Sequence, residues 1–329
     1  MSEIVNILLA VLYLLVFPGF LFLFFYGLFC EYFDRKLYAR MQNRVGPPLF
    51  QPFADFVKLL AKEDIIPEKA DKGMFSIVPL FAFAGVLTAI LYIPIWRTDA
   101  VLSFEGDLVV VLFLLTIPSF ALFFAGWHST NLFSQIGAVR TVTQLFGYEI
   151  PFFFACLAPA LIMGTWSISG ILSQTVIRPE VLILLILAFI IAVISLQAKL
   201  ERVPFDAPEA ETEIAGGSLV EYTGRRLAIF RLMFNIKMVI CAALITALFL
   251  GGPVLFPAVP GPEFIGYLLG FVVFLLKTLF VVFLLTMMRT VFARVRIDQL
   301  LKFCYGWLIP LSIVQFLLLI LVRSMGWFA

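Results

Sequence analysis

At 329 residues the chain has the length of two ordinary soluble domains, but 63% of its residues are hydrophobic, 13% are charged and 38 are Phe, which excludes that class. Repeated apolar runs near 20 residues describe a polytopic membrane protein, and their continuity favours helices over a barrel, whose strands alternate in and out. The net charge of +2 says little because the charges are segregated by side; no free basic stripe, phosphate-cradling loop or nucleophile–base spacing points to a nucleic-acid binder or a stand-alone hydrolase.

The first predicted span covers 4–30. It lacks a basic n-region and a small-residue cleavage site, so it is expected to stay as a helix rather than be removed. The connection 31–72 opens with DRKLYARMQNRVGPP, in which Pro47 and Pro48 impose a rigid turn. Next, Leu49, Phe53, Phe56, Val57 and Leu60 fall on one helical face, with Gln51, Asp55, Lys58 and Lys62 on the other. That is an amphipathic helix lying on the membrane surface or against a partner.

Spans 74–96, 108–126 and 136–165 follow, with prolines at 118, 151 and 159. The fourth carries GAVRTVTQLFGYE, placing Glu149 in an apolar run beyond Arg140. A carboxylate there must be paired, hydrated or protonated, which makes it a candidate proton carrier. The alternative is a structural ion pair with Arg140, Lys237 or Lys277. Pro151 beside it gives either a hydrated kink or a packing kink.

A fifth span, 181–198, leads into the connection 199–226. There ERVPFDAPEAETEIAGGSLVEY holds six of the chain's 21 carboxylates between Glu201 and Glu221. The three- and four-residue spacing of Asp206, Glu209 and Glu213 would align them on one face of a helical turn, with Glu211 pointing elsewhere. Like charges that close either share protons in a water-bridged chain, or form a solvated cap in which Pro208 opens a helix.

Spans 227–250, 264–288 and 303–323 bring the total to eight, with RVRIDQL in the last inner connection. Lys237 and Lys277 are too central to snorkel easily, and read as partners of Glu149 or of a neighbouring subunit. His128, the only histidine, reads as interfacial. Cys30, Cys156, Cys241 and Cys304 stand singly as apolar fillers, so neither a metal site nor a redox centre is expected in this chain.

Most of the 23 basic residues fall in connections 31–72, 127–135 (with Arg140), 199–226 and 289–302, whereas the other connections and the termini hold Arg97, Arg178 and Arg323. The positive-inside rule puts the basic connections in the cytoplasm and both termini outside. No internal repeat or linker divides the chain. The expectation is an all-α polytopic membrane protein forming one domain, 1–329.

The motifs DRKLYARMQNRVGPP, FQPFADFVKLLAKE, GAVRTVTQLFGYE, RVPFDAPEAETEIAGGSLVEY and RVRIDQL occur in that order from about residue 31 to 310. Together they resemble the family of the first, or H-type, membrane subunit of respiratory complex I and its membrane-bound hydrogenase relatives. The resemblance implies a cell-membrane chain that anchors an electron-transfer arm. Asp34, Arg35, Arg44, Gln51, Asp55, Lys58, Arg294, Arg296 and Asp298 would face that arm. Arg140, Glu149, Asp206, Glu209, Glu211, Glu213, Glu221 and Lys277 would carry protons or the coupling signal, and Lys237 joins them by its position in a span. No catalytic residue is implied in this chain.

Gly46-Pro47-Pro48 runs almost directly into Phe50-Gln51-Pro52, where quinone-reducing members insert further residues. Phe234, Asn235 and Lys237 occupy the stretch where the family carries a glutamate. The short junction is similar to the energy-converting hydrogenases and their ferredoxin-linked relatives, and the missing glutamate counts against a quinone pocket and one carrier position. Iron–sulfur clusters and a NiFe-type site would then sit in peripheral large and small partner subunits, with antiporter-like subunits alongside in the bilayer. The alternatives are a quinone-binding subunit of an NADH- or other donor:quinone oxidoreductase, a stand-alone secondary transporter with inverted repeats, and a purely structural anchor whose acids are interfacial.

Overall fold

A computed structural model of the chain describes residues 9, 11–177, 181–254 and 263–325. Among these, every regular element is helical. Seven stretches are long and apolar enough to cross a membrane: Val11–Met41, Lys72–Tyr92, Asp107–His128, Leu132–Met163, Gly224–Phe249, Phe264–Val291 and Ile297–Ser324. Within and between them run α1 (Phe20–Met41), the surface helix α2 (Gln51–Ala61), α3 (Lys72–Ala89), α4 (Asp107–Leu114), α5 (Ile117–His128) and α6 (Leu132–Met163). The remainder are α7 (Ile168–Ile177), α8 (Ile186–Lys199), α9 (Gly224–Phe249), α10 (Glu263–Val291), α11 (Ile297–Phe303) and α12 (Ile309–Ser324).

Helix α9 is the hub. From Asn235 to Phe249 it is buried on every side, and the helix packs against α1, α2, α3, α8 and α10. Its composition explains this: a helix apolar all round belongs in a core, and Ala242, Ala243 and Ala247 let neighbouring backbones approach closely. Helices α10 and α12 instead turn Leu268, Leu276, Leu317 and Leu318 outward, as expected of a lipid-facing rim.

The fifth expected span, 181–198, takes a different form. It is a single turn, Val181–Leu184, followed by α8. At 1.5 Å per residue the 14 residues of α8 alone cover about 21 Å of a core about 30 Å thick, and the turn before it adds to that length. The connection before it holds α7, which the apolar pattern did not reveal. Asp107 lends α7 a distant cap: its carboxylate accepts from Ile168 N at 2.7 Å and Ser167 Oγ at 3.2 Å. A cap drawn from another helix leaves no local sequence signature.

Helix α1 also runs past residue 30 to Met41, so Glu31, Asp34 and Arg35 stand on a helix rather than in a loop. The last span begins at Ile297 rather than 303, and a π-helical turn, Cys304–Leu308, lies between α11 and α12. The basic connections meet on one side of the bundle. Arg226 pairs with Asp64, Asn131 bonds Glu221, and Arg294 pairs with Asp206.

The acid-rich connection is seated on α6 backbone to backbone. A Cβ at Gly137 would lie 2.5 Å from the Ser218 nitrogen, and one at Gly217 1.7 Å from the Pro208 carbonyl oxygen. Gly217 also has φ of +61°, a left-handed conformation that disfavours any side chain.

Candidate functional site

Six polar side chains meet where α5, α6, α8 and α9 converge with the start of the acid-rich connection. Lys199, the last residue of α8, donates to both carboxylate oxygens of Glu149 at 2.8 and 2.9 Å. Its ammonium also sits over the rings of Phe152 and Tyr148, at 5.0 and 5.6 Å. On the other side of Tyr148, its hydroxyl lies 3.0 Å from Ser119 Oγ, and Ser119 donates to Glu201 at 3.3 Å. Lys237 stands 3.7 Å from the same Glu201 oxygen. Gln144 fixes the corner by donating to the carbonyls of Ala198 and Phe205, at 2.9 and 2.7 Å.

The arrangement is a ladder of two Lys–Glu pairs joined by two hydroxyls. Each charge is compensated, as burial demands. The hydroxyls can both donate and accept, so a proton has a bonded route from Tyr148 through Ser119 to Glu201.

Glu201 opens onto a cavity of about 620 Å³ between α1, α2, α9 and the acid-rich connection. Its polar wall sets Glu31, Asp34, Asp55, Asp206 and Glu209 against Arg35, Arg202, Arg231 and Arg289. Glu201 Oε2 and Glu209 Oε1 are buried without a protein hydrogen-bond partner. Burial, only partly offset by Lys237 and reinforced by Glu209, pushes the Glu201 carboxyl up to about 7. Burial also raises Glu209, against the pull of Arg231. Asp55 is held low: burial opposes its charge, but the hydrogen bonds from Arg35 and Gln51 outweigh that.

The structure separates the residues predicted for coupling. Glu149 pairs with Lys199 instead of Arg140, Lys237 or Lys277, because α8 runs beside α6 and delivers Lys199 to it. Arg140 pairs with Glu213, and Lys237 with Glu201. Lys277 donates to the carbonyls of Leu250, Gly252 and Val254, at 2.6, 3.0 and 2.7 Å, which caps the end of α9. Asp206, Glu209 and Glu213 do not share a helical face. The chain breaks at Ala210 between two single turns, so each reaches its own arginine: Arg294, Arg231 and Arg140. Glu211 lines the cavity, and Glu221 accepts from Asn131.

Of the residues predicted to face a peripheral arm, Arg44, Lys58, Arg294, Arg296 and Asp298 are exposed. Gln51 and Asp55 are half-buried and bonded to each other at 2.8 Å, and Arg35 joins Asp55 at 2.7 Å. Asp34 is not on the surface. It is fully buried, held by Thr286 at 2.7 Å, Arg289 at 2.8 Å and Arg202 at 3.2 Å. The apolar face of α2 is only partly covered: Phe53 and Phe56 pack on Phe24, while Val57 and Leu60 stay exposed.

Sequence reasoning missed Lys199, Glu201, Tyr148, Ser119 and Gln144 as site residues. A signal was present for two of them: Lys199 and Glu201 are charged residues at the mouth of an apolar run, where charge is costly. Among the described residues no group of three or more His, Cys, Asp or Glu side chains is placed to hold a metal ion.

Comparison with known proteins agrees with the resemblance read from the motifs. The family described as NADH dehydrogenase matches residues 12–320. The H subunit of the NADH-quinone oxidoreductase of Brevibacillus brevis is 35% identical, over 97% of this chain and 93% of that protein. Its counterpart in Geobacillus kaustophilus is 35% identical over 92% and 90%. Among solved structures, a chain of the membrane-bound sulfane sulfur reductase, an archaeal respiratory membrane complex, superposes with a TM-score of 0.80 at 26% identity, covering 97% of this chain and 100% of that one. This chain therefore belongs to the NADH dehydrogenase family, as an H-type membrane subunit of an ion-translocating oxidoreductase.

Proposed function

We propose that this chain is the membrane-anchor and coupling subunit of a ferredoxin-linked complex, whose peripheral arm carries a NiFe-type or related site and reduces protons or a sulfur compound. The observation that carries the coupling role is the ladder Glu149–Lys199–Tyr148–Ser119–Glu201–Lys237, which opens at one end onto the charged cavity beneath the surface helix. A change of charge at the arm alters the proton occupancy of Glu201, and the ladder relays that change to Glu149 within the bilayer. Antiporter-like subunits beside the chain then move protons or sodium ions. In this reading the basic connections face the cytoplasm, both termini lie outside, and the chain is a single membrane domain.

The ferredoxin branch is supported by the short Gly46–Pro52 junction, and reduction of a sulfur compound by the likeness to the sulfane sulfur reductase chain. The cavity wall, crowded with carboxylates and guanidiniums, also suits water and ions better than an isoprenoid tail. A second reading, a quinone-binding subunit of an NADH-driven complex, is favoured by the names of the curated relatives, which are H subunits of NADH-quinone oxidoreductases.

Purification of the intact complex through a tag on this chain tests both. Nickel and iron–sulfur clusters without extractable quinone support the ferredoxin reading; bound quinone with NADH-driven turnover overturns it. For the coupling role, Glu149→Gln and Glu201→Gln should lower ion translocation in assembled complexes, and full pumping in both refutes it.

A further inference from the structure

The surface helix packs against α9 directly, and an amide on α9 adds a polar line between them. On α2, Asp55 accepts from Gln51 at 2.8 Å and from Arg35 at 2.7 Å. Arg35 also bonds Glu31, one turn earlier on α1. The other oxygen of Glu31 accepts from Asn235 Nδ2. Asn235 is 8% exposed and stands two residues before Lys237 on α9. We propose that Asn235 is a positioning residue: it ties α9, and with it the Glu201–Lys237 pair, to the corner formed by α1 and α2, so that the seating of α2 against a partner sets the geometry of the ladder. This deepens the proposed function and rests on its coupling reading.

The chemistry of the line suits that task. Each oxygen of Glu31 has a different donor, one on α1 and one on α9, so the connection does not branch. A neutral amide at 235 donates without contesting Arg35 for Glu31, whereas a lysine would compete and a carboxylate would repel. Two residues of helix rise only about 3 Å, and α9 is enclosed by its neighbours, so Asn235 and Lys237 move together.

Packing supports the same joint. A Cβ at Gly27 would meet Asn235 at 3.6–3.7 Å, which shows that α1 and α9 touch at this level. The apolar contacts of α2 with α1 are ring edges, Phe24 against Phe53 and Phe56. Helix α2 also rests on α9, and the polar line gives this packing its direction because hydrogen bonds are directional. Phe50, at the start of α2, is 76% exposed, which leaves the helix open to be positioned by whatever covers it.

The test uses the intact complex in inverted membrane vesicles and reads ions translocated per electron pair for Asn235→Leu, Asp55→Asn, their double variant and Asn235→Gln. Each of the first two should lower the ratio about three- to tenfold, and the double should fall no further than the worse single. Asn235→Gln keeps the donor and should recover at least half of the ratio. Multiplying losses in the double, or no recovery with Gln, overturns the proposal. If Asn235→Leu prevents assembly, Asp55→Asn decides alone, and an unchanged ratio overturns it. Should Glu149→Gln and Glu201→Gln also pump fully, the coupling reading itself fails; if they uncouple while Asn235→Leu does not, only this inference fails.

Discussion

Lys199 reaches both carboxylate oxygens of Glu149, at 2.8 and 2.9 Å, across 50 positions of sequence. The ammonium is wholly buried, while the glutamate side chain keeps 14% exposure. The pair is neutral as a unit, and either member alone is a stranded charge.

Replacing one partner should therefore destabilise far more than replacing both. Lys199→Met is expected to cost about 3–5 kcal/mol, with the double variant Lys199→Met/Glu149→Met much closer to the parent. Thermal unfolding of the detergent-solubilised complex measures this. Equal losses in the single and double variants would show that packing, not charge, dominates the site.

Glu201 should make stability depend on pH. Its folded value, about 7, lies above the ordinary 4.5, so between them the folded chain holds a proton that the unfolded chain has released. Its contribution is full below about pH 4.5 and is lost as pH rises through about 7. Glu201→Gln should flatten that fall in melting temperature; an identical pH profile would contradict the assignment.

Two aspartates at the cavity should differ sharply. Asp34→Asn leaves Arg202 and Arg289 without a counter-charge, an expected loss of about 3–5 kcal/mol. Arg294→Ala removes a partner of Asp206 whose guanidinium is 42% exposed, with an expected change of about 0–1 kcal/mol. Denaturant titration of the two variants side by side would expose any error in this ranking.

Lys277→Met should loosen the end of α9 by about 1–3 kcal/mol, because the carbonyls of Leu250, Gly252 and Val254 lose their donor. Ion translocation by assembled Lys277→Met complexes separates a capping role, which predicts a normal ratio, from a coupling role, which predicts a reduced one.

Much of the architecture was legible because a bilayer enforces long apolar runs, and seven of the eight expected spans appear as long helices. The fifth was readable as apolar, but not its division into the turn Val181–Leu184 and α8. Side-chain pairing was the least legible layer. Glu149 stood out as a buried acid, yet its partner depended on how α8 packs against α6, which no local pattern encodes. Asp206, Glu209 and Glu213 had helical spacing, but the break at Ala210 turned them apart. Arg35, Gln51 and Asp55 were marked by motif, and their linkage through Glu31 to Asn235 became visible only in three dimensions.

The direct contact of main chains at Gly137 and Gly217 has a bearing on substitution tolerance. Side chains also tie the strip to α6, through Arg140–Glu213 and Asn131–Glu221, but the closest approach is between main chains. A methyl at either glycine would push the Pro208 carbonyl or the Ser218 amide aside, shifting every neighbouring carboxylate together. The elevation of the strip over the bundle is thus set where Gly137 meets Gly217 and Ser218.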